Sequence, residues 1–143
     1  MKKRTVPGSG QRGDTMAYNL LIVDDSQTMR KVIRKTVMIS GFDIGDCWEA
    51  GNGREALEVI RTHWVDVVLT DLNMPVMNGM EMLRELKRDD IHQRTPVVLI
   101  TTEGNEKRLE EAYGLGIRGY IQKPFHAEVI RDLLTRIMEG QHD

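Results

Sequence analysis

The feature that most constrains this chain is a strict alternation of short apolar runs with helical periodicity, repeated five times from Asn19 onward. The first run is Leu20-Leu21-Ile22-Val23. A helix then starts at Ser26, with Met29, Val32, Ile33, Thr36, Val37 and Ser40 at helical spacing. Ser26 suits an N-cap and Gly41 a stop. A weaker strand, Ile44 to Glu49, leads to a helix capped by Asn52 with Ala56, Leu57, Ile60 and Trp64 on one face. The third strand is Asp66-Val67-Val68-Leu69-Thr70. After the loop Asn73-Met74-Pro75-Val76-Met77-Asn78-Gly79 comes a helix with Met82, Leu83 and Leu86. The fourth strand, Pro96 to Ile100, precedes a helix with Leu109, Ala112 and Tyr113 that ends near Gly114 and Gly116. The fifth, Gly119 to Gln122, precedes one with Val129, Ile130, Leu133, Leu134 and Ile137.

Strands alternating with helices give parallel pairing with right-handed crossovers. The first, third and fourth apolar runs lack period-two alternation, as expected of strands covered on both faces. The 143 residues suit one domain. Residues 17–140 are expected to form it, and residues 1–16, with Pro7, three glycines and no period, to form a disordered tail. A net charge of −2 gives no case for nucleic-acid binding. The single Cys47 excludes an internal disulfide and reads as a small strand residue in a reducing compartment. No apolar run approaches the roughly 20 residues of a membrane span. The basic start Met1-Lys2-Lys3-Arg4 is not followed by the apolar segment of a secretion signal, so the cytoplasm is expected.

Four apolar strands each run into polar residues: Val23 into Asp24-Asp25, Thr70 into Asp71, Ile100 into Thr101-Thr102, and Gln122 into Lys123-Pro124. In a parallel sheet these ends share one edge, where open α/β folds bind ligands. Taken singly each has a plain explanation: Asp25 or Ser26 as a helix cap, Asp71 with Asn73 as turn chemistry, Thr101 as a cap, Lys123 as a solvated cation. Together they converge. Three carboxylates brought close repel unless one protonates or a cation sits among them, and hard oxygen ligands in a hydrated site favour Mg²⁺, with Mn²⁺ as a substitute. An acidic cluster with a lysine points to phosphoryl chemistry, in which a carboxylate is the nucleophile and the cations neutralise phosphoryl oxygens. Thr101 can hydrogen-bond the attached group. Pro124 allows a cis peptide that aims Lys123.

From Tyr18 to Met138 this ordered set resembles the receiver domain of two-component response regulators, within it the single-domain chemotaxis group. The resemblance implies a flavodoxin-like (βα)5 fold with strand order 2-1-3-4-5. It implies phosphorylation of Asp71 by a sensor histidine kinase. Mg²⁺ would be held by Asp24, Asp25, Asp71 and the backbone carbonyl of Asn73. Thr101, Thr102, Lys123 and Tyr120 would bind the phosphoryl group or carry the switch, with Tyr120 swinging inward as Thr101 moves. Asn73 and Glu103 would tune loss of the phosphoryl group. Thr28-Met29-Arg30-Lys31 early in the first helix, Asn73 and Glu103 are what resemble the chemotaxis members. Thr102 stands where those often carry alanine, and Ser26 where a bulkier residue follows the acidic pair.

The implied function is signalling by phosphorylation-dependent protein binding rather than turnover of an external substrate. The chain ends at Asp143, just past the last helix, so output is expected by protein contact through the fourth helix, fifth strand and fifth helix. A flagellar motor switch protein is the expected target, and a monomer the expected state. A phosphorelay or non-motility receiver is the alternative within the class. A haloacid-dehalogenase-like phosphohydrolase would place an Asp-x-Asp nucleophile after the first strand, where this chain has adjacent aspartates. A flavodoxin-like electron carrier would not set two aspartates against a flavin phosphate. His63, His92, His126 and His142 lack zinc-ligand spacing. The nine methionines are expected mostly as core filling, with some of Met74, Met77 and Met80 exposed beside the site, and Trp48 and Trp64 as packing residues.

Overall fold

A computed structural model describes residues 17–91, 94–102 and 104–140. The expected N-terminal tail, Glu103, His92 and His142 therefore lie outside the described residues. Five strands, β1 (Tyr18–Val23), β2 (Ile44–Ala50), β3 (Val67–Thr70), β4 (Val97–Thr101) and β5 (Gly119–Gln122), alternate with five helices. The helices are α1 (Gln27–Ser40), α2 (Gly53–Thr62), α3 (Gly79–Arg88), α4 (Glu106–Gly114) and α5 (Ala127–Gly140). All pairings are parallel, in the order β2-β1-β3-β4-β5. Chain order reverses beside β1, which lies between β2 and β3.

Alternate side chains of the central strands enter opposite cores, which explains their unbroken apolar runs. Leu21, Val23, Val68 and Leu99 pack with α2, α3 and Ala112 of α4. Leu20, Ile22, Val67, Leu69, Val98 and Ile100 pack with α1 and α5. Fully burying one such leucine or isoleucine contributes roughly 2 kcal/mol. Helix starts follow the expected chemistry. Ser26 Oγ accepts from Met29 N, and Asn52 Oδ1 accepts from Glu55 N. Asn78 and Glu81 form a reciprocal capping box on α3. Gly41 ends α1 at φ 92°, a left-handed position open to glycine.

Some expectations give way. Trp64 lies beyond the end of α2 and half out of the fold, because its indole N–H reaches back to Asp66 Oδ1 at 2.9 Å. Tyr113, Val32 and Val129 keep the helical period yet are exposed, on the margins of their helices' buried stripes. Met74 and Met80 are buried against Leu72 and Leu83, and Met77 is half-buried. Cys47 is half-buried on β2, and burial pushes its thiol pKa up. No helix among the described residues is long and apolar enough to cross a membrane.

Candidate functional site

The register aligns the strand ends. Val23 pairs with Thr70 and Ala50, Thr70 with Leu99, and Thr101 with Gln122. The ladder continues one residue further: Asp24 N donates to Ala50 O at 3.1 Å and Asp71 N to Val23 O at 2.9 Å. Backbone pairing therefore fixes where both aspartates leave the sheet. Lys123 N donates to Thr101 O at 2.9 Å, which sets β4 and β5 level with them, and the Lys123-Pro124 peptide is cis.

Asp24 is only 2% exposed, Asp25 is exposed and Asp71 lies between. Carboxylate oxygens of all three lie within 4.8 Å of one another. Lys123 enters this cluster: its Nζ is 3.1 Å from Asp24 Oδ2 and 3.6 Å from Asp71 Oδ2. Three carboxylates against one ammonium leave the cluster nominally two charges negative. Such a set of hard oxygens, with one member open to solvent, fits a hydrated divalent cation.

The remaining oxygens have local partners. Asp24 Oδ1 accepts from Ser26 N at 2.9 Å, and Asp71 Oδ1 accepts from Leu72 N at 2.7 Å. The free face of Asp71 is thus Oδ2, on the lysine side. Arg30 braces Asp24 from behind: its Nη1 donates to the Asp24 carbonyl at 2.7 Å while its Nε pairs with Glu49 at 2.8 Å. The sequence offered Arg30 only as part of a helical tetrapeptide, and Glu49, nineteen positions away on β2, carried no signal of this brace. Gly79 permits the start of α3 to close on the site. A Cβ there would stand 2.6 Å from the Asp71 carbonyl oxygen and 2.9 Å from Leu72 Cα.

Thr101 is fully buried at the end of β4, whereas Thr102 is exposed. Thr102 and Lys123 line an open cleft of about 350 Å³ against Met29 and Val32 of α1. Tyr120 is half-buried on the α2–α4 side of the sheet. Asn73 is exposed, and its Oδ1 lies 3.5 Å from Arg108 Nη1 on α4, a contact without any sequence signal. The structure thus brings Asp24, Asp25, Asp71 and Lys123 into direct proximity. Thr101 lies at the same edge through its backbone bond to Lys123.

A doubly wound sheet with a carboxylate triad and a lysine at its C-terminal edge has the layout of a signalling receiver. The family model for the response regulator receiver domain matches residues 20–135, and the chain belongs to that family. A chemotaxis protein CheY homolog of Campylobacter jejuni is 37% identical over 120 residues, covering 83% of this chain and 91% of the relative. Chemotaxis protein CheY1 of Helicobacter pylori is 37% identical over 125 residues, covering 87% and 98%. Among solved structures, CheY4 of Vibrio cholerae matches with a TM-score of 0.74 at 31% identity, over 85% of this chain and 98% of that one.

Proposed function

We propose that the chain is a chemotaxis response regulator, phosphorylated on Asp71 by a histidine kinase and signalling to the flagellar motor. The observation that most supports this reading is the position of Lys123 Nζ, shared between Asp24 Oδ2 at 3.1 Å and Asp71 Oδ2 at 3.6 Å. A lysine there meets a phosphoryl group arriving on Asp71 and is held ready by an acid that is not the nucleophile. The similarity to chemotaxis proteins of Campylobacter jejuni and Helicobacter pylori supports the chemotaxis half of the reading.

Asp71 Oδ2 is the attacking oxygen, since Oδ1 is engaged by Leu72 N. The Oδ2–phosphorus bond forms, the bond to the donor's leaving group breaks, and an acyl phosphate results. Lys123 then turns from Asp24 toward the phosphoryl oxygens. Asp24, Asp25, Asp71 and the Asn73 carbonyl would hold Mg²⁺. When bound, the ion supplies positive charge against the phosphoryl oxygens. The new charge of roughly −2 draws the Thr101 hydroxyl inward. Tyr120 follows into the vacated space, which biases the α4–β5–α5 face toward one of two packings. That face binds the partner protein in the cytoplasm.

Intact mass after incubation with acetyl phosphate tests the reading. The expected result is a Mg²⁺-dependent gain of one phosphoryl group, absent in Asp71→Asn. Labelling that persists in Asp71→Asn would remove Asp71 from the role.

A further inference from the structure

Helix α4 has a small apolar footing: of its nine residues Ala112 is buried and Leu109 packs, partly buried, against the same core. Polar contacts along one side add to it. Arg108 Nη1 approaches Asn73 Oδ1 at 3.5 Å, Glu111 accepts from Arg84 at 2.6 Å, and the Gly114 carbonyl accepts from Lys87 Nζ at 2.9 Å. These positions recur every three residues, so they follow one flank of the helix. The second and third contacts reach α3. The first reaches the loop two residues beyond Asp71. Asn105 Oδ1 accepts from Arg108 N at 3.2 Å, so the root of the arginine side chain is fixed by the helix cap.

We propose that Arg108 is a positioning residue for phosphoryl loss at Asp71, acting through Asn73. The inference rests on Asp71 being the phosphoacceptor. A carboxamide whose oxygen faces a guanidinium turns its NH₂ the other way. Asn73 is thereby given one orientation out of two, with a donor of fixed direction two residues from the acceptor. That donor holds the water that hydrolyses the acyl phosphate. In the hydrolysis the water oxygen bonds to phosphorus and the phosphorus–Oδ2 bond breaks. Asp71 regains its carboxylate, and inorganic phosphate leaves with the water's protons shared between it and solvent. Because Arg108 sits on α4, the orientation of Asn73 is tied to the position of that helix. Movement of α4, by a switch or by a bound partner, would alter phosphoryl lifetime through this contact. The arginine is half-buried and its partner exposed, so the effect is modest.

The test is a double-mutant cycle on the rate of phosphoryl loss. Wild type, Arg108→Ala, Asn73→Ala and the double variant are labelled with acetyl phosphate and Mg²⁺, desalted, and followed by intact mass. Arg108→Ala is expected to slow the loss about threefold, the scale of a solvent-screened polar contact. The double variant is expected to match Asn73→Ala, since an effect carried by Asn73 vanishes with it. A wild-type rate in Arg108→Ala overturns the proposal. So does a slowing of equal size with and without Asn73, which would mark Arg108 as acting independently. Failure to label wild-type protein would overturn the reading of Asp71 and this inference together, and is distinct from both.

Discussion

The sheet buries an aspartate at each of its ends, and the two are buried for different reasons. Asp66, 5% exposed at the entry to β3, is fully satisfied by neutral donors. Asn19 N donates to its Oδ2 at 2.7 Å and Trp64 Nε1 to its Oδ1 at 2.9 Å. Asn19 completes the network by donating to the Trp64 carbonyl at 3.0 Å and accepting from Asp46 N at 2.9 Å. This clasp stitches β1 and β2 to the segment that enters β3. Asp24, at the opposite end, has a backbone donor and Lys123, yet two further carboxylates lie within 4.8 Å. Burial and good hydrogen bonds are common to both. Unbalanced like charge is found only at the second, and it costs free energy that a ligand can recover. An acid is therefore read as a site by what it repels.

The sharpest division between the two ends is chemical. Asp71→Asn is expected to abolish acetyl-phosphate labelling, while Asp66→Asn labels at the wild-type extent, both read by intact mass. Labelling lost in both would mean that the two ends are coupled and that the comparison fails. The next effect is on cation linkage. Millimolar Mg²⁺ is expected to raise the thermal midpoint of wild type and of Asp66→Asn, because an ion bound only by the folded chain stabilises it. Asp24→Asn is expected to lose most of that shift. Without metal the order reverses. Asp66→Asn sets an amide NH₂ against one of two buried donors and is expected to cost about 2 kcal/mol in urea unfolding. Asp24→Asn relieves repulsion and is expected to change stability by less than about 1 kcal/mol. Equal losses would show that Asp24 is a structural clasp like Asp66.

The same contrast explains what could be read from the chain. The convergence at the candidate site was legible because backbone connectivity carries it: four strands end in polar residues, and a parallel sheet brings strand ends together whatever the side chains do. The cap at Ser26 and the left-handed stop at Gly41 were legible because each is a local property of three or four residues. The Asp66 clasp was not. Trp64 continues the helical period of α2, so the pattern assigns it to the helix face, and only its bond to Asp66, with Asn19 forty-five positions away holding its carbonyl, shows why it leaves. The Arg108–Asn73 contact was equally hidden, since thirty-five positions separate the two and neither residue type predicts the other. The methionines read mostly as core filling, with some of Met74, Met77 and Met80 expected exposed beside the site because they follow Asp71 closely in sequence; Met74 and Met80 are instead buried. They are buried because the loop folds under itself to start α3 at Gly79.

The smallest expected effect concerns backbone strain, which also differs between the two ends. Among the described residues two non-glycines have positive φ: Val76 at 67°, in the loop after Asp71, and Asp90 at 59°, after α3 at the other end. Aspartate tolerates the left-handed region by bonding its own backbone, whereas a β-branched residue meets a clash there of roughly 1–2 kcal/mol. Val76 is 71% exposed, so its side chain recovers little by packing. Val76→Asn is expected to stabilise the fold by about 1 kcal/mol in urea unfolding, and Asp90→Asn to shift it by less than about 0.5 kcal/mol. Because asparagine can keep the same φ, the Asp71 loop is expected to hold its shape, and the rate of acetyl-phosphate labelling to stay at the wild-type value. A stabilised Val76→Asn that labels more slowly would instead place the strain within the working of the site, where a loop held under tension keeps Asp71 Oδ2 turned toward Lys123.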